Sequence, residues 1–145
     1  MESLCTFDVD SLFIGIEINR IQEILRAQPV TLVPLAPSAI RGLMSLRGQI
    51  VPMIDLTERL GMQLAQSSEM FNVLIRTPDG PVSLLVDRVG DVVEVPSDAF
   101  EPAPDTLRSS LRPLIRGAYK LADRLLVILD TELVVSLPGG QSSHE

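Results

Sequence analysis

Hydrophobic residues recur along this chain mostly at every second position, in short runs separated by turn formers. In LCTFDVD, Cys5, Phe7 and Val9 fall on one face and Thr6, Asp8 and Asp10 on the other. LFIGIEI continues the pattern with Ile14, Ile16 and Ile18 aligned. Both stretches are predicted as β-strands, joined by a tight turn at Asp10-Ser11. NRIQEILR then changes period. Ile18, Ile21, Ile24 and Leu25 make a stripe at helical spacing, which predicts a helix over 19–26 with Asn19 as its N-cap. PVTLVPLAPS, with Pro29, Pro34 and Pro37, is predicted as a loop holding at most an edge strand.

LMSLRGQIVPMIDL predicts a hairpin, with strands at 43–46 and 50–56 and a turn of Arg47, Gly48 and Gln49. Glycine belongs in such a turn, but nothing about turning requires the arginine. LTERLG follows as a short helix, with Asp55 and Glu58 at capping-box spacing and Gly61 at its stop. QLAQSSE is a polar connection. MFNVLIRT and PVSLLVDRV flank Pro78-Asp79-Gly80, a second hairpin signal. DVVEVP is one more strand, and SDAFEPAPDTLRSSLRP an irregular segment with one helical turn. LIRGAYKLADRLLVILD predicts two further strands, and TELVVSL a last helix stopped by Pro138-Gly139-Gly140. About ten short strands and few helices define an all-β chain.

The chain also repeats itself. IRGLMSLRGQIVPMID aligns without a gap with IRGAYKLADRLLVILD at an offset of 75 residues, the distance from Ile40 to Ile115. IEINRIQEI aligns more weakly with LLVDRVGDV at an offset of 68 residues, setting Arg20 over Arg88 and Glu23 over Asp91. Two related units of about five strands follow, each too small for a good core alone, so they are expected to share apolar surface. Features found in both halves serve the common fold. Asp55 and Asp130 are therefore expected to cap helices rather than act as a catalytic pair. Arg41 and Arg116 are expected to be structural, satisfying carbonyls. Arg47 has Ala122 as its counterpart. The hairpin forms without a basic side chain there, which leaves Arg47 free for function.

Composition narrows the function classes. A chain of 145 residues suits one compact domain, or two very small ones sharing a core. A net charge of −7 disfavours nucleic acid and anionic membrane surfaces as partners. Hydrophobic residues make up 46% but aromatics only 3%, so the core is aliphatic. No run approaches membrane-span length, the amino terminus carries no signal-peptide pattern, and a lone cysteine fits a reducing cytoplasm. Catalytic chemistry is sparse. The one histidine, His144, lies in a polar tail, and Cys5 sits on an inward strand face as an inert thiol. No zinc spacing, calcium loop or phosphate-binding glycine loop occurs.

These motifs together resemble the CheW-like family of bacterial chemosensory adaptors, whose fold also forms the regulatory domain of the CheA histidine kinase. The likeness runs from about Leu4 to Leu137 and rests on IRGLMSLRGQIVPMIDL, LLVDRVGDVVEVP and IRGAYKLADRLLVILD in that order. It implies two SH3-like five-stranded β-barrels packed around a shared hydrophobic centre, with a few short helices. Residues 1–145 would be a single CheW-like domain of two pseudo-repeated sub-barrels, with a boundary near 65–70, terminal strands free to exchange, and a polar tail over 138–145.

The resemblance further implies a non-enzymatic cytoplasmic adaptor without a cofactor, recruited to membrane-associated receptor arrays. It would couple the cytoplasmic tip of a methyl-accepting chemoreceptor to the regulatory domain of a CheA-type histidine kinase, with barrel surfaces open to weak self-association. Arg47 matches the family's receptor-coupling arginine, and Ile21 and Glu23 match receptor-side positions. Each has a plainer reading: Ile21 as core, Glu23 as structural beside its counterpart Asp91, and Arg47 as a solvated turn residue. Ser45 replaces the asparagine common before Leu-Arg-Gly, and Ser83 stands where glycine is frequent. The chain begins at its first strand and ends past its last helix, which is the expectation for a free-standing adaptor. The contrasting reading is a small-ligand-binding or enzymatic β-barrel that uses the inter-barrel cleft. The scarcity of aromatics and of convergent polar groups counts against it.

Overall fold

The computed structural model describes residues 1–62 and 70–136. The connection at 63–69, the expected boundary near 65–70, the stop at Pro138-Gly139-Gly140 and the tail at 138–145 lie, in whole or in most part, outside the described residues. Ten strands form two five-stranded sheets. In chain order they are β1 (Glu2–Val9), β2 (Leu12–Glu17), β3 (Ile21–Arg26), β4 (Ile40–Leu46) and β5 (Gln49–Asp55), then α1 (Leu56–Arg59). After these come β6 (Phe71–Ile75), β7 (Val82–Val86), β8 (Arg88–Val95), β9 (Ile115–Lys120), β10 (Leu125–Leu129) and α2 (Thr131–Val135). Each sheet is one SH3-like barrel.

The strand orders are β8-β1-β2-β10-β9 and β3-β6-β7-β5-β4. Replacing each strand by its counterpart five places along the chain turns one order into the other. The first two strands of each repeat unit therefore lie in the barrel that holds the last three strands of the other unit. Each barrel joins the units twice, through an antiparallel ladder (β1–β8 or β3–β6) and through a parallel one, in which Gly15 of β2 faces Ile128 of β10 or Ser83 of β7 faces Met53 of β5. The barrels are interlocked rather than consecutive.

Both faces of the inner strands β6, β7 and β10 are covered, which is why these strands read as nearly continuous apolar runs, whereas β4 and β8 keep exposed positions. One face packs into a central cluster that joins the sheets, with Phe7, Ile14, Ile16 and Val127 from one side and Ile54, Val73, Ile75 and Leu84 from the other. The opposite faces line two small barrel interiors. Leu4, Val95, Tyr119, Leu126 and Ile128 fill the first; Met44, Val51, Met53, Leu74 and Leu85 fill the second. At about 1.5–3 kcal/mol for each large aliphatic side chain buried, the central cluster outweighs either interior.

The segment predicted as a helix over 19–26 is instead a 3-10 turn at Ile18–Arg20 followed by strand β3. Asn19 caps nothing, since the turn's cap position is Glu17 and no side chain bonds there. The register of β3 on β6 slips between Ile21 and Glu23. That bulge inserts a residue, so Ile21 and Ile24, three apart, both face the central cluster. Spacing of three in a bulged strand imitates a helical stripe. A like slip occurs in the counterpart strand β8, between Val89 and Val92 where they face Phe7 and Cys5 of β1.

The two aspartates cap as expected. Asp55 accepts from the Glu58 N–H at 3.3 Å and Asp130 from the Leu133 N–H at 3.1 Å. Among the described residues, Arg41 and Arg116 do not serve carbonyls. They meet carboxylates instead, Asp55 at 3.4 Å and Glu17 at 3.3 Å. The irregular segment at 97–113 holds 3-10 turns at Ser97–Ala99 and, overlapping its end, at Arg112–Leu114. Cys5 packs against the central cluster, and burial pushes its thiol above the usual range, which keeps it unreactive.

Arg59 of α1 joins the two units. Its guanidinium donates to the carbonyls of Val134 and Leu133, each at 2.8 Å, and of Ser136 at 3.1 Å, closing the end of α2. Its counterpart at the 75-residue offset is Val134, so the contact is made once. Arg59→Met keeps much of the apolar stem and removes all three bonds. Urea melts should show a loss of about 2 kcal/mol. An unchanged midpoint would mean that water replaces the guanidinium at no cost.

Ser83 shows the reverse case. It stands where the counterpart strand has Gly15, it is fully buried, and its hydroxyl has no hydrogen-bond partner among the described residues. Ser83→Ala removes a buried unsatisfied group and should raise stability by about 1 kcal/mol in the same melts. A loss of stability would show that the hydroxyl is satisfied after all.

Candidate functional site

The β4–β5 connection is a two-residue turn, Arg47-Gly48, and Gln49 already belongs to β5. Both turn residues have positive φ, 51° and 81°. This is the geometry of a type I′ hairpin turn, whose twist matches that of the flanking strands. Gly48 adopts it freely. Arg47 does so against the steric preference of any residue with a Cβ, at about 1–2 kcal/mol. An unfavourable backbone state held at an exposed tip is the kind of outlier that a functional side chain explains.

The Arg47 side chain turns toward β3, where its Nη2 donates to Glu23 Oε2. Strands β3 and β4 are the outermost strands of their sheet, so this ion pair spans the two edges of the second barrel. Arg47 keeps 66% of its side-chain surface exposed and Glu23 keeps 28%. A guanidinium has five N–H donors, so most of its hydrogen-bonding capacity still faces solvent.

Ile21 is placed differently. It begins β3, but the bulge separates it from Glu23, and its side chain packs partly buried against the central cluster. Its carbonyl accepts from Arg76 Nη1 at 2.6 Å, and the same nitrogen reaches the Asn19 carbonyl at 3.3 Å. The structure thus brings Arg47 and Glu23 into contact and leaves Ile21 one bulge away, at the rim of the core.

An apolar strip continues from the tip down the outer face of the hairpin. Leu43 stands opposite Pro52, and Ser45 opposite Ile50, which is 62% exposed. Thr31 bridges to Leu43 and brings exposed Leu32 and Val33 alongside.

The groove between the barrels holds a recess of about 380 Å³ between the β6–β7 turn and α2, lined by Arg20, Arg76, Thr77, Val82, Thr131 and Glu132 among others. Arg20 reaches Glu132 there at 3.6 Å. No cluster of three or more metal-ligating side chains occurs among the described residues.

The sequence reading did not single out Arg59. Its mismatch with Val134 is the same signal that marked Arg47 against Ala122. Arg47→Gly should raise stability by about 1 kcal/mol by relieving the left-handed backbone. Arg47→Ala keeps a Cβ and loses only an exposed ion pair, so the change should stay within about 0.5 kcal/mol. Paired urea melts check both, and a large loss in either would make the side chain structural.

The CheW-like domain family matches residues 3–138 of the chain. Among curated proteins, the chain is 29% identical over 132 residues to the chemotaxis protein CheW of Rhizobium meliloti, covering 90% of this chain and 85% of the relative. To the chemotaxis protein CheW of Klebsiella aerogenes it is 30% identical, over 84% of this chain and 74% of the relative. Protein PilI of Pseudomonas aeruginosa is 26% identical over 78% of this chain and 64% of its own length. Among solved structures, the scaffolding protein TtCheW from Thermoanaerobacter tengcongensis superposes with a TM-score of 0.86 at 24% identity, over 95% and 94% of the two chains.

Proposed function

The chain belongs to the family of CheW-like domains, and we propose that this chemotaxis scaffold couples the cytoplasmic tip of a chemoreceptor to the regulatory domain of a CheA-type histidine kinase. It works without catalysis. Its task is to hold two partners in fixed relation on a rigid double barrel. The observation that carries this reading is Arg47: a guanidinium kept at positive φ on a hairpin tip, braced by Glu23 and otherwise turned to solvent. Bracing reduces the side-chain freedom lost on binding, and the free N–H groups suit carboxylates or terminal carbonyls of a receptor helix. Ile21 and Glu23, on the neighbouring strand, make up the rest of the receptor-side surface.

The kinase surface is the apolar strip of Leu43, Ile50, Leu32 and Val33 on the outer face of the same barrel. Exposed aliphatic side chains around a short polar rim fit a modest barrel-to-barrel interface. The work is done in the cytoplasm at receptor arrays, and no helix among the described residues is long and apolar enough to cross a membrane.

The two surfaces are separable by mutation. Arg47→Glu reverses a charge at the tip and should weaken binding to receptor-tip fragments by roughly 2 kcal/mol or more if the contact is desolvated. Binding to the kinase regulatory domain should stay unchanged. Ile50→Lys should do the opposite. Pull-downs of each folded variant with each partner read this out. A stable Arg47→Glu that binds its receptor normally would remove the arginine from the coupling.

A further inference from the structure

The two barrels are built alike but closed differently at one end. A recess of about 190 Å³ opens at the end of the first barrel, floored by Leu4 and Ile128. Its walls carry Glu2, Glu17, Arg116, Tyr119 and Phe100. At the repeat offsets the second barrel has Met70 for Glu2, Leu85 for Glu17, Met44 for Tyr119 and Met53 for Ile128. Pairing supports the equivalence, since Leu4 faces Glu17 in β1–β2 as Asn72 faces Leu85 in β6–β7. In the second barrel Met44, Met53 and Leu85 are closed core, with Met70 packed on them. The fold closes such a mouth with apolar side chains. Arg116 has Arg41 as its counterpart, so Glu2, Glu17 and Tyr119 are what the first barrel adds.

Three features of the walls point to one chemistry. Arg116, the only cation among them, is paired with Glu17 at 3.3 Å, and Glu17 also holds Arg20, outside the walls, at 3.6 Å. Glu2 has no ion pair or hydrogen bond among the described residues, so its carboxylate is the unpaired charge on the walls. Tyr119 is 5% exposed, its ring packs with the barrel core, and its hydroxyl has no hydrogen-bond partner among the described residues. Its ring centroid lies 5.4 Å from that of Phe100, so two of the chain's few aromatics meet here. Burial, and after it the carboxylates of Glu2 and Glu17, push the phenol above its usual range, while Arg116 acts in the opposite sense. A free carboxylate, an unpartnered phenol oxygen and aromatic surface together favour a cation. An anion would meet Glu2 and find Arg116 already engaged.

We propose that this recess is a docking pocket for one basic side chain, lysine or arginine, presented by a protein partner. Its volume lies below the roughly 300–1,000 Å³ of sites that enclose whole small molecules, and suits a single side chain. The stem would pack on Leu4, Ile128 and Phe100 while the charged head meets Glu2 and the Tyr119 hydroxyl. A chain of net charge −7 also favours a basic partner surface. The proposal rests on the adaptor reading only in taking the occupant to be a protein.

Tyr119 reports on its own pocket, because the chain has one tyrosine and no tryptophan. Its emission is followed while the protein is titrated with N-acetyl-lysine amide, and with the same capped forms of arginine, norleucine and glutamate. Capped lysine and arginine should give a saturable change in the millimolar range; norleucine and glutamate should give none. Glu2→Gln should weaken the lysine response about fivefold or more. Glu94→Gln, the same charge change on β8 outside the recess, should leave it unchanged, as should Arg47→Glu. That last arm separates failure of this pocket from failure of the receptor-coupling reading. Absence of any response, a response to glutamate, or an equal response in a folded Glu2→Gln would overturn the proposal. Tighter binding of free putrescine than of capped lysine would overturn the protein source.

Discussion

The rest of the molecule depends on one packing constraint: two small sheets share a core that neither could make alone. Each barrel interior is filled by only five fully buried hydrophobic side chains. That is far less than a chain of this size needs to offset its conformational entropy. The central cluster makes up the difference by taking the outer face of both sheets at once. Burial on both faces then requires apolar residues at consecutive positions, as in LLVIL of β10 and VLI of β6. The reciprocal exchange of strands makes the arrangement hard to undo. Separating the two repeat units means breaking the ladders that interlock them, antiparallel β1–β8 and β3–β6 and parallel β2–β10 and β5–β7, not merely parting two surfaces. Arg59 adds a side-chain tie between the units on top of this backbone one.

A rigid core of this kind decides where variable chemistry can stand. The inner strands are committed on two faces, so function is confined to turns, outer strands and barrel mouths. Arg47 and Glu23 illustrate this. One occupies a turn, the other a bulge on an outermost strand, and they meet because the two edges of a five-stranded barrel curl toward each other. The bulge does two jobs there. It keeps Ile21 and Ile24 on the core and also sets Glu23 outward, where Arg47 reaches it. Carrying Glu23 on a main-chain ladder and Arg47 on a two-residue hairpin turn holds the geometry of the ion pair when a partner arrives.

What could be read from the sequence divides along physical lines. Asp55 and Asp130 could be recognised because capping is a local interaction with a fixed three-residue spacing. The β4–β5 and β6–β7 hairpins could be recognised because turn residues punctuate them. The class of fold followed from counting such elements and from the repeat. Strand β3 could not be read correctly, because its bulge replaced a period of two by a spacing of three. The length of the Arg47 turn was overestimated because an arginine at positive φ has no sequence signature, unlike the glycine after it. The partners of Arg41 and Arg116 were missed because they depend on tertiary neighbours. The residues proposed for receptor coupling came from family likeness. Their mutual contact, Arg47 with Glu23, came only from folding.

The internal repeat supplies a control that a single sequence otherwise lacks: each strand has a counterpart under nearly the same constraints. Asymmetry alone does not mark function, however. Ser83 differs from Gly15, yet its hydroxyl is sealed inside the second barrel, where it can meet no partner and only costs stability. Arg59 differs from Val134, yet its donors are used within the chain. Arg47 against Ala122 is another case, since after the bond to Glu23 the guanidinium still faces solvent. Glu2 and Tyr119 against Met70 and Met44 go further, because their polar atoms have no internal partner and open into a recess. The useful criterion joins both conditions: a residue without its counterpart's chemistry, and polar atoms that the fold leaves unsatisfied at an accessible position. Neither the core nor the caps meet it. A hairpin tip and a barrel mouth do, and they belong to different barrels.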